Sequence, residues 1–316
     1  MIRSLACTQF DNIIRKPPHV MRYTSPMPVS TLRSVLGSAP LCLIPGVATP
    51  LDARIAEGVG FSAVFVTGAG VANTLFGYPD IGLLGLGEVT DAVRRITSAV
   101  DVPVLVDADT GYGNHLNVYR TIKSLEAAGA AGAILEDQVE PKRCGHLDGK
   151  RVISVIDMTE KLIAAQLART NDDFVIVART DAIATDGIES AIERGRHYAE
   201  AGADVLFVEA PRTREDLAAI PHMLDAHCLA NMVDGGVTPI VTAHDLEAMG
   251  YSGVLYANVA LRAGARAVRD ALGTLSRDGD SLAIADTILS WPDRQALVGL
   301  PDWLALDDRV RRRANA

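Results

Sequence analysis

Eight short apolar runs punctuate the chain: 41–47 (LCLIPGV), 63–68 (AVFVTG), 102–107 (VPVLVD), 132–137 (GAILED), 174–179 (FVIVAR), 205–209 (VLFVE), 228–233 (CLANMV) and 251–256 (YSGVLY). Between them lie charged stretches with apolar residues at helical spacing, among them 88–99, 116–129, 157–170, 187–202 and 213–226. A strand that is apolar at every position is buried on both faces. Strands alternating with helices imply a parallel sheet joined by helical crossovers. Eight such units predict a closed (β/α)8 barrel of the TIM class. Glycines at 57–60, 127–130 and 200–203 each precede a run, where they suit a helix C-cap feeding the next strand. Nothing interrupts this rhythm across 31–272, which reads as one catalytic barrel. Residues 1–30, with Asp11, Lys16 and adjacent prolines, read as an irregular N-terminal arm. Residues 273–316 read as a helical extension, with a helical stretch at 281–290 followed by Trp291-Pro292 and an arginine-rich end.

In such barrels the active site lies at the C-terminal ends of the strands. The polar residues there are Thr67, Asp107, Asp109, Glu136, Gln138, Arg179, Asp181, Glu209, Asn231, Asp234 and Tyr256. A converging set with several carboxylates and an arginine is hard to ascribe to the mere habit of polar residues to mark strand ends. Asp107, Asp109 and Glu136 are hard oxygen donors that suit Mg²⁺, with Mn²⁺ as a substitute. Asp107 and Asp109 point the same way if the strand continues between them and diverge if it stops. Thr67-Gly68-Ala69-Gly70 offers a hydroxyl and backbone N–H groups before a helix, a turn that suits a carboxylate. Gly111 and Gly113 mark a tight loop, without the G-K-[ST] of a P-loop.

The formal charge of −9 argues against nucleic acid and anionic membranes as partners. It leaves an anionic small-molecule carboxylate open as substrate, because a bound divalent cation dominates its local field. No run is long enough to span a bilayer, and Met1 to Pro28 lack the apolar core of a signal peptide. The four cysteines, Cys7, Cys42, Cys144 and Cys228, match no zinc or redox spacing. Cys42 and Cys228 sit in apolar runs as core residues, and a reducing, cytoplasmic setting is the simplest reading.

Cys144 differs from the others. It lies among Lys142, Arg143, His146 and Lys150, in a segment with little apolar content that reads as a mobile loop over the barrel mouth. Cations lower a thiol's pKa and favour the reactive thiolate. Carboxylates and a cation-surrounded thiol together point to a metal-assisted enzyme with a thiol acid or base.

These residues resemble the isocitrate lyase / phosphoenolpyruvate mutase superfamily over about 30–272. Val106-Asp107-Ala108-Asp109-Thr110-Gly111-Tyr112-Gly113 is similar to its metal loop, and Glu136-Asp137 to its second acidic strand end. Lys142-Arg143-Cys144-Gly145-His146 resembles the signature of the lyase branch. The resemblance implies a catalytic or metal-linked Asp80 and an α-keto-acid-binding turn at Thr67, Gly68 and Ala69. It further implies a carboxylate-binding Arg179, with Glu209 and Asn231 as other polar pocket positions. It makes Cys144 the acid that protonates the leaving carbanion, with Lys142, Arg143 and His146 stabilising charge. It also implies a Mg²⁺-dependent C–C lyase acting on a 2-hydroxy di- or tricarboxylate, and helix exchange in a homotetramer built from dimers. Phe65 stands where methylisocitrate lyases tend to have tyrosine, and Asn231-Met232-Val233-Asp234-Gly235-Gly236 looks more like the alkylmalate lyases. The substrate expectation is therefore a substituted malate of the dimethylmalate kind rather than a methylisocitrate. Two alternatives stand beside it: an oxaloacetate hydrolase or decarboxylase in the same fold, and a non-catalytic barrel that binds keto acids.

Overall fold

The computed structural model describes residues 30–38, 41–143, 145 and 149–315. Cys7, Cys144 and His146 lie outside them. Eight parallel strands form a closed barrel in sequence order: β1 Cys42–Val47, β2 Val64–Val66, β3 Val104–Asp107, β4 Gly132–Glu136, β5 Val175–Thr180, β6 Val205–Val208, β7 Cys228–Asn231 and β8 Gly253–Tyr256. Each strand lies within one of the apolar runs, except that β5 extends one residue past its run to Thr180, and β8 closes onto β1 with Cys42 opposite Gly253.

Two apolar layers hold the barrel. The interior is filled by Ile44, Phe65, Leu105, Ile134, Val177, Phe207, Leu229 and Leu255. The second layer, between strands and surrounding helices, includes Val66, Val106, Leu135, Ile176, Val208 and Val254. The helix Leu32–Leu36 joins the interior cluster through Leu32 and Leu36. It reaches the barrel because β4 and β8 both open with glycine. A Cβ at Gly132 would lie 2.9 Å from Leu32 Cδ2, and one at Gly253 would lie 3.0 Å from Leu36 Cδ2.

The helices begin where the sequence supplies a cap. Thr49, Ser154, Thr213 and Thr242 each accept a backbone N–H from the first turn that follows. After β8 a 20-residue helix, Val259–Asp278, runs past residue 272 and stops at Gly279, which adopts the left-handed conformation. None of its side chains is buried. The helical stretch expected at 281–290 is not formed. That segment holds one 3-10 turn, Leu282–Ile284, and helix resumes only at Trp291–Leu297, where Ser290 caps the Asp293 N–H. The apolar spacing there is real, but Leu282, Ile288 and Leu289 are exposed and have no core face within this chain to fold against. A last helix covers Leu300–Ala314. Among the described residues no helix is long and apolar enough to cross a membrane.

Candidate active site

The strand ends build two facing walls. The first is acidic. Asp107 closes β3 and accepts the Gly68 N–H at 3.2 Å and the Asp109 N–H at 3.2 Å. The strand stops there, yet the two carboxylates converge: a Cβ at Gly68 would lie 2.9 Å from Asp107 Oδ2 and 3.4 Å from Asp109 Oδ1. The loop beyond leaves extended geometry repeatedly, with φ of 46° at Asp109, 86° at Gly111, 62° at Tyr112 and 141° at Gly113. Such backbone costs energy for the non-glycine residues and is characteristic of functional loops. A π-helical turn at Ala72–Phe76 leads into the loop that brings Asp80 alongside. Lys142 reaches down between these carboxylates, forming a short hydrogen bond to Asp80 and an ion pair with Asp109 Oδ1 at 2.8 Å.

Electrostatics follow from this crowding. Burial opposes the Lys142 charge, but Asp109, Asp107, Glu136 and Asp80 outweigh it and raise its pKa well above the usual lysine value. Lys142 therefore stays an ammonium. One ammonium does not neutralise so many carboxylates. Burial, and then the Asp107 charge, push Asp109 up to about 7, although Lys142 pulls the other way. Burial likewise holds Glu136 well above the usual carboxyl range in spite of Arg179.

The second wall is organised by Arg179, at the C-terminal end of β5. Its guanidinium is gripped by Asp181 through two bonds, 2.9 Å and 3.0 Å, a planar fork that fixes its orientation. Glu136 Oε2 lies 3.4 Å and Glu209 Oε2 3.7 Å from Nη1, and the Phe207 ring backs the group at 5.4 Å. Asn231 donates to Glu209 at 3.4 Å. Burial alone would raise Asp181, but Arg179, with Lys150 adding to it, holds its carboxyl below the usual range. Lys150 stands 3.4 Å from Asp181 and donates to the Gly145 carbonyl. Gly145 itself rests on the guanidinium: a Cβ there would lie 2.6 Å from Arg179 Nη2.

Between the walls is a cavity of about 50 Å³. Of the residues expected from the sequence, Thr67, Ala69, Asp80, Asp107, Glu136, Lys142, Arg143, Arg179, Glu209 and Asn231 line it together. Gly68 and Asp109 do not. Gly68 acts through its N–H to Asp107, and Asp109 stands behind Lys142. The loop departs from expectation in one respect. Lys142 and Lys150 anchor it, being only 6% and 9% exposed, where a segment with few anchors was expected. The sequence reading missed the apolar floor of Phe207, Ile134 and Leu255, and it missed Asn258, whose Oδ1 is buried without a partner. The signal for Asn258 was present, because it lies two residues beyond the end of β8.

The donor set fits a hard cation. Glu136 Oε1 is buried with no hydrogen-bond partner, and the surrounding carboxylates are underneutralised. Among the described residues no group of three His, Cys, Asp or Glu side chains closes on one point. Such a set suits Mg²⁺, which binds through one or two carboxylates and keeps water or substrate oxygens for the rest.

Comparison with known proteins agrees with this geometry. Residues 32–276 match the phosphoenolpyruvate phosphomutase family. The chain is 40% identical over 269 residues to the 2,3-dimethylmalate lyase of Eubacterium barkeri, covering 85% of this chain and 93% of that one. It is 40% identical over 294 residues to the 2-methylisocitrate lyase of Aeropyrum pernix, covering 92% and 94%. Among solved structures, oxaloacetate acetylhydrolase in complex with 3,3-difluorooxalacetate superposes with a TM-score of 0.85 at 34% identity, over 90% of this chain and 98% of that one. Phosphonopyruvate hydrolase in complex with oxalate and Mg²⁺ superposes with a TM-score of 0.80 at 30% identity, over 88% and 97%. The barrel, its two-walled cavity and these likenesses together make the chain a member of the phosphoenolpyruvate phosphomutase family and, within the isocitrate lyase / phosphoenolpyruvate mutase superfamily, of its lyase branch.

Proposed function

We propose that the protein is a Mg²⁺-dependent lyase that cleaves the C2–C3 bond of a 2-hydroxy dicarboxylate of the substituted-malate type, releasing a keto acid and a carboxylate. The observation that carries this reading is the meeting of opposite chemistries in one cavity: the carboxylates Asp107 and Glu136, with Arg179, locked by Asp181 and 3.4 Å from Glu136, beside them. A 2-hydroxy acid has the matching pair of ends. The apolar floor of Ile134, Phe207 and Leu255 suits an alkyl-bearing dicarboxylate.

In this reading Asp107 and Glu136, which face the cavity, hold the ion directly or through water, and Asp109 acts through Lys142. When bound, Mg²⁺ supplies Lewis-acid polarisation of the substrate hydroxyl and of the keto acid that forms from it. Arg179 binds a substrate carboxylate, with the Thr67-Gly68-Ala69 turn facing its other end. Asp80, held by Lys142, is the group at hand to take the hydroxyl proton. As the C2–C3 bond breaks, its electron pair passes to the departing carbon, and Lys142 and Arg143 offset the charge that develops on that fragment's carboxylate. Cys144 then delivers the proton to carbon, with His146 two residues on in sequence.

We further propose a homotetramer in which the Val259–Asp278 helix packs on a neighbouring subunit. Its exposed Val268, Leu272 and Leu275, with no buried side chain along its length, support this. A cytoplasmic setting accords with Cys42 and Cys228 being free. A second reading, hydrolysis of oxaloacetate, draws on the same cavity and the likeness to oxaloacetate acetylhydrolase. Incubation with dimethylmalate, methylisocitrate, citramalate and oxaloacetate, with and without EDTA, separates them. Keto acid released from dimethylmalate supports the lyase, whereas oxalate from oxaloacetate alone supports the hydrolase.

A further inference from the structure

Gln138 is buried to 1% exposure, yet it belongs to neither wall. Its backbone sits in the neck of the loop that carries Lys142 and Arg143. There the chain returns alongside itself, with Val139 N–H donating to the Arg151 carbonyl at 2.8 Å, Ile153 N–H donating to the Asp137 carbonyl at 2.8 Å, and Gln138 opposite Val152. Its side chain turns into the loop and meets the backbone of Arg143 twice. Arg143 N–H donates to Oε1 at 2.9 Å, and Nε2 donates to the Arg143 carbonyl at 2.9 Å. The amide thus treats residue 143 as a neighbouring β-strand would. The same NH2 group faces Asp181, the carboxylate that orients Arg179.

Only an amide satisfies all three demands. A carboxylate accepts from Arg143 but has nothing to donate to its carbonyl and repels Asp181, and an ammonium accepts nothing. Aspartate and asparagine fall one methylene short. We infer that Gln138 is a positioning residue: its amide fixes the backbone of Arg143, and so the cationic side of the cavity, at a set height above the Asp181–Arg179 pair. Arg143 lines the cavity, and its Nη1 would stand 2.8 Å from a Cβ at Gly149, so backbone displacement at 143 moves the guanidinium with little room to compensate. The catalytic consequence rests on the lyase reading, in which Arg143 meets the developing charge.

The test uses the full chain and two variants. Gln138→Met keeps length and bulk but loses every bond. Gln138→Glu keeps the acceptor for the Arg143 N–H and loses the donor. Amide hydrogen exchange at Arg143 should accelerate at least about tenfold in Gln138→Met and less in Gln138→Glu, since a lost hydrogen bond of about 1.4 kcal/mol is a factor of ten. On whichever substrate the wild type turns over, kcat should fall at least about tenfold, because small misplacement of a charge-stabilising group is costly. KM should change by less than about threefold, as expected when an interaction is lost mainly in the transition state. A merely structural role would lower Tm without splitting kcat from KM. Unchanged exchange at Arg143 in Gln138→Met, or accelerated exchange with unchanged kcat, would overturn the inference. If one variant misfolds, the other decides. If the wild type turns over no substrate, the lyase reading fails and the exchange measurement still decides whether Gln138 clamps the loop.

Discussion

Arg179 is shared by three buried carboxylates: Asp181 at 2.9 Å, Glu136 at 3.4 Å and Glu209 at 3.7 Å. Asp181 has a second cation, Lys150, at 3.4 Å. The two halves of the Arg179–Asp181 pair are therefore unequal. Asp181→Asn leaves Arg179 with two other carboxylates and keeps an acceptor. Arg179→Met leaves Asp181 with Lys150 and strips the arginine from Glu136 and Glu209. Removing one partner of a buried pair costs about 3–5 kcal/mol. Screening is small, because the arginine side chain is 12% exposed and the carboxylates 2% or less. We expect Asp181→Asn at or below the lower bound, about 2–3 kcal/mol, and Arg179→Met near the upper one, about 5 kcal/mol. At roughly 2–3 °C per kcal/mol for a chain of this size, Tm should fall by about 4–9 °C and 10–15 °C respectively. Thermal unfolding followed by circular dichroism, in excess EDTA so that no metal masks the charge, reads both. Calorimetric titration with oxalate should show binding weakened in both. Equal losses of Tm, or a larger loss in Asp181→Asn, would refute the view that Arg179 is the charge that balances this wall.

Three further outcomes are expected. Burial pushes the Cys42 thiol up to about 11 and Cys228 up to about 12. Below about pH 8.5 both states keep these protons; above it the unfolded chain ionises first, so stability should fall by up to about 1.4 kcal/mol per pH unit per thiol until pH passes the folded values. Denaturant unfolding near pH 8 and pH 10 should therefore show a steeper alkaline loss in the wild type than in Cys228→Ala, and equal slopes would count against it. Gly111→Ala meets Val118 Cγ2 at 2.4 Å at a φ of 86°, whereas Gly235→Ala, at a φ of 77°, meets nothing within 4 Å. The first should cost about 3 kcal/mol and the second about 1 kcal/mol in urea unfolding, and similar costs would show that the metal-loop contact is soft. Cys144→Ser should retain oxalate binding and lose at least about a hundredfold in turnover; near wild-type cleavage would remove Cys144 as the proton donor.

The barrel was legible because its apolar runs carry few polar positions to confuse the pattern, and because nearly every strand, β1 excepted, ends at or beside a polar residue. That rule found Asp107, Glu136, Arg179, Glu209 and Asn231, all of which line one cavity. It failed where position depends on partners distant in sequence. Lys142 and Lys150 read as loop cations, yet each is buried on a carboxylate that another loop supplies: Asp80, 62 residues from Lys142, and Asp181. The role of Gln138 was hidden for a different reason, since its partner is a backbone and no side-chain pattern announces it. At 281–290 the apolar spacing misled, because the residues that produce it, Leu282, Ile288 and Leu289, face outward.

The central claim is metal-assisted C–C cleavage of a 2-hydroxy dicarboxylate, and one reaction followed by NMR addresses it directly. Wild-type protein incubated with 2,3-dimethylmalate and Mg²⁺ should yield pyruvate and propionate in equal amounts, with no products when EDTA is present. Intact dimethylmalate, under conditions where the same preparation converts oxaloacetate to oxalate and acetate, would contradict it.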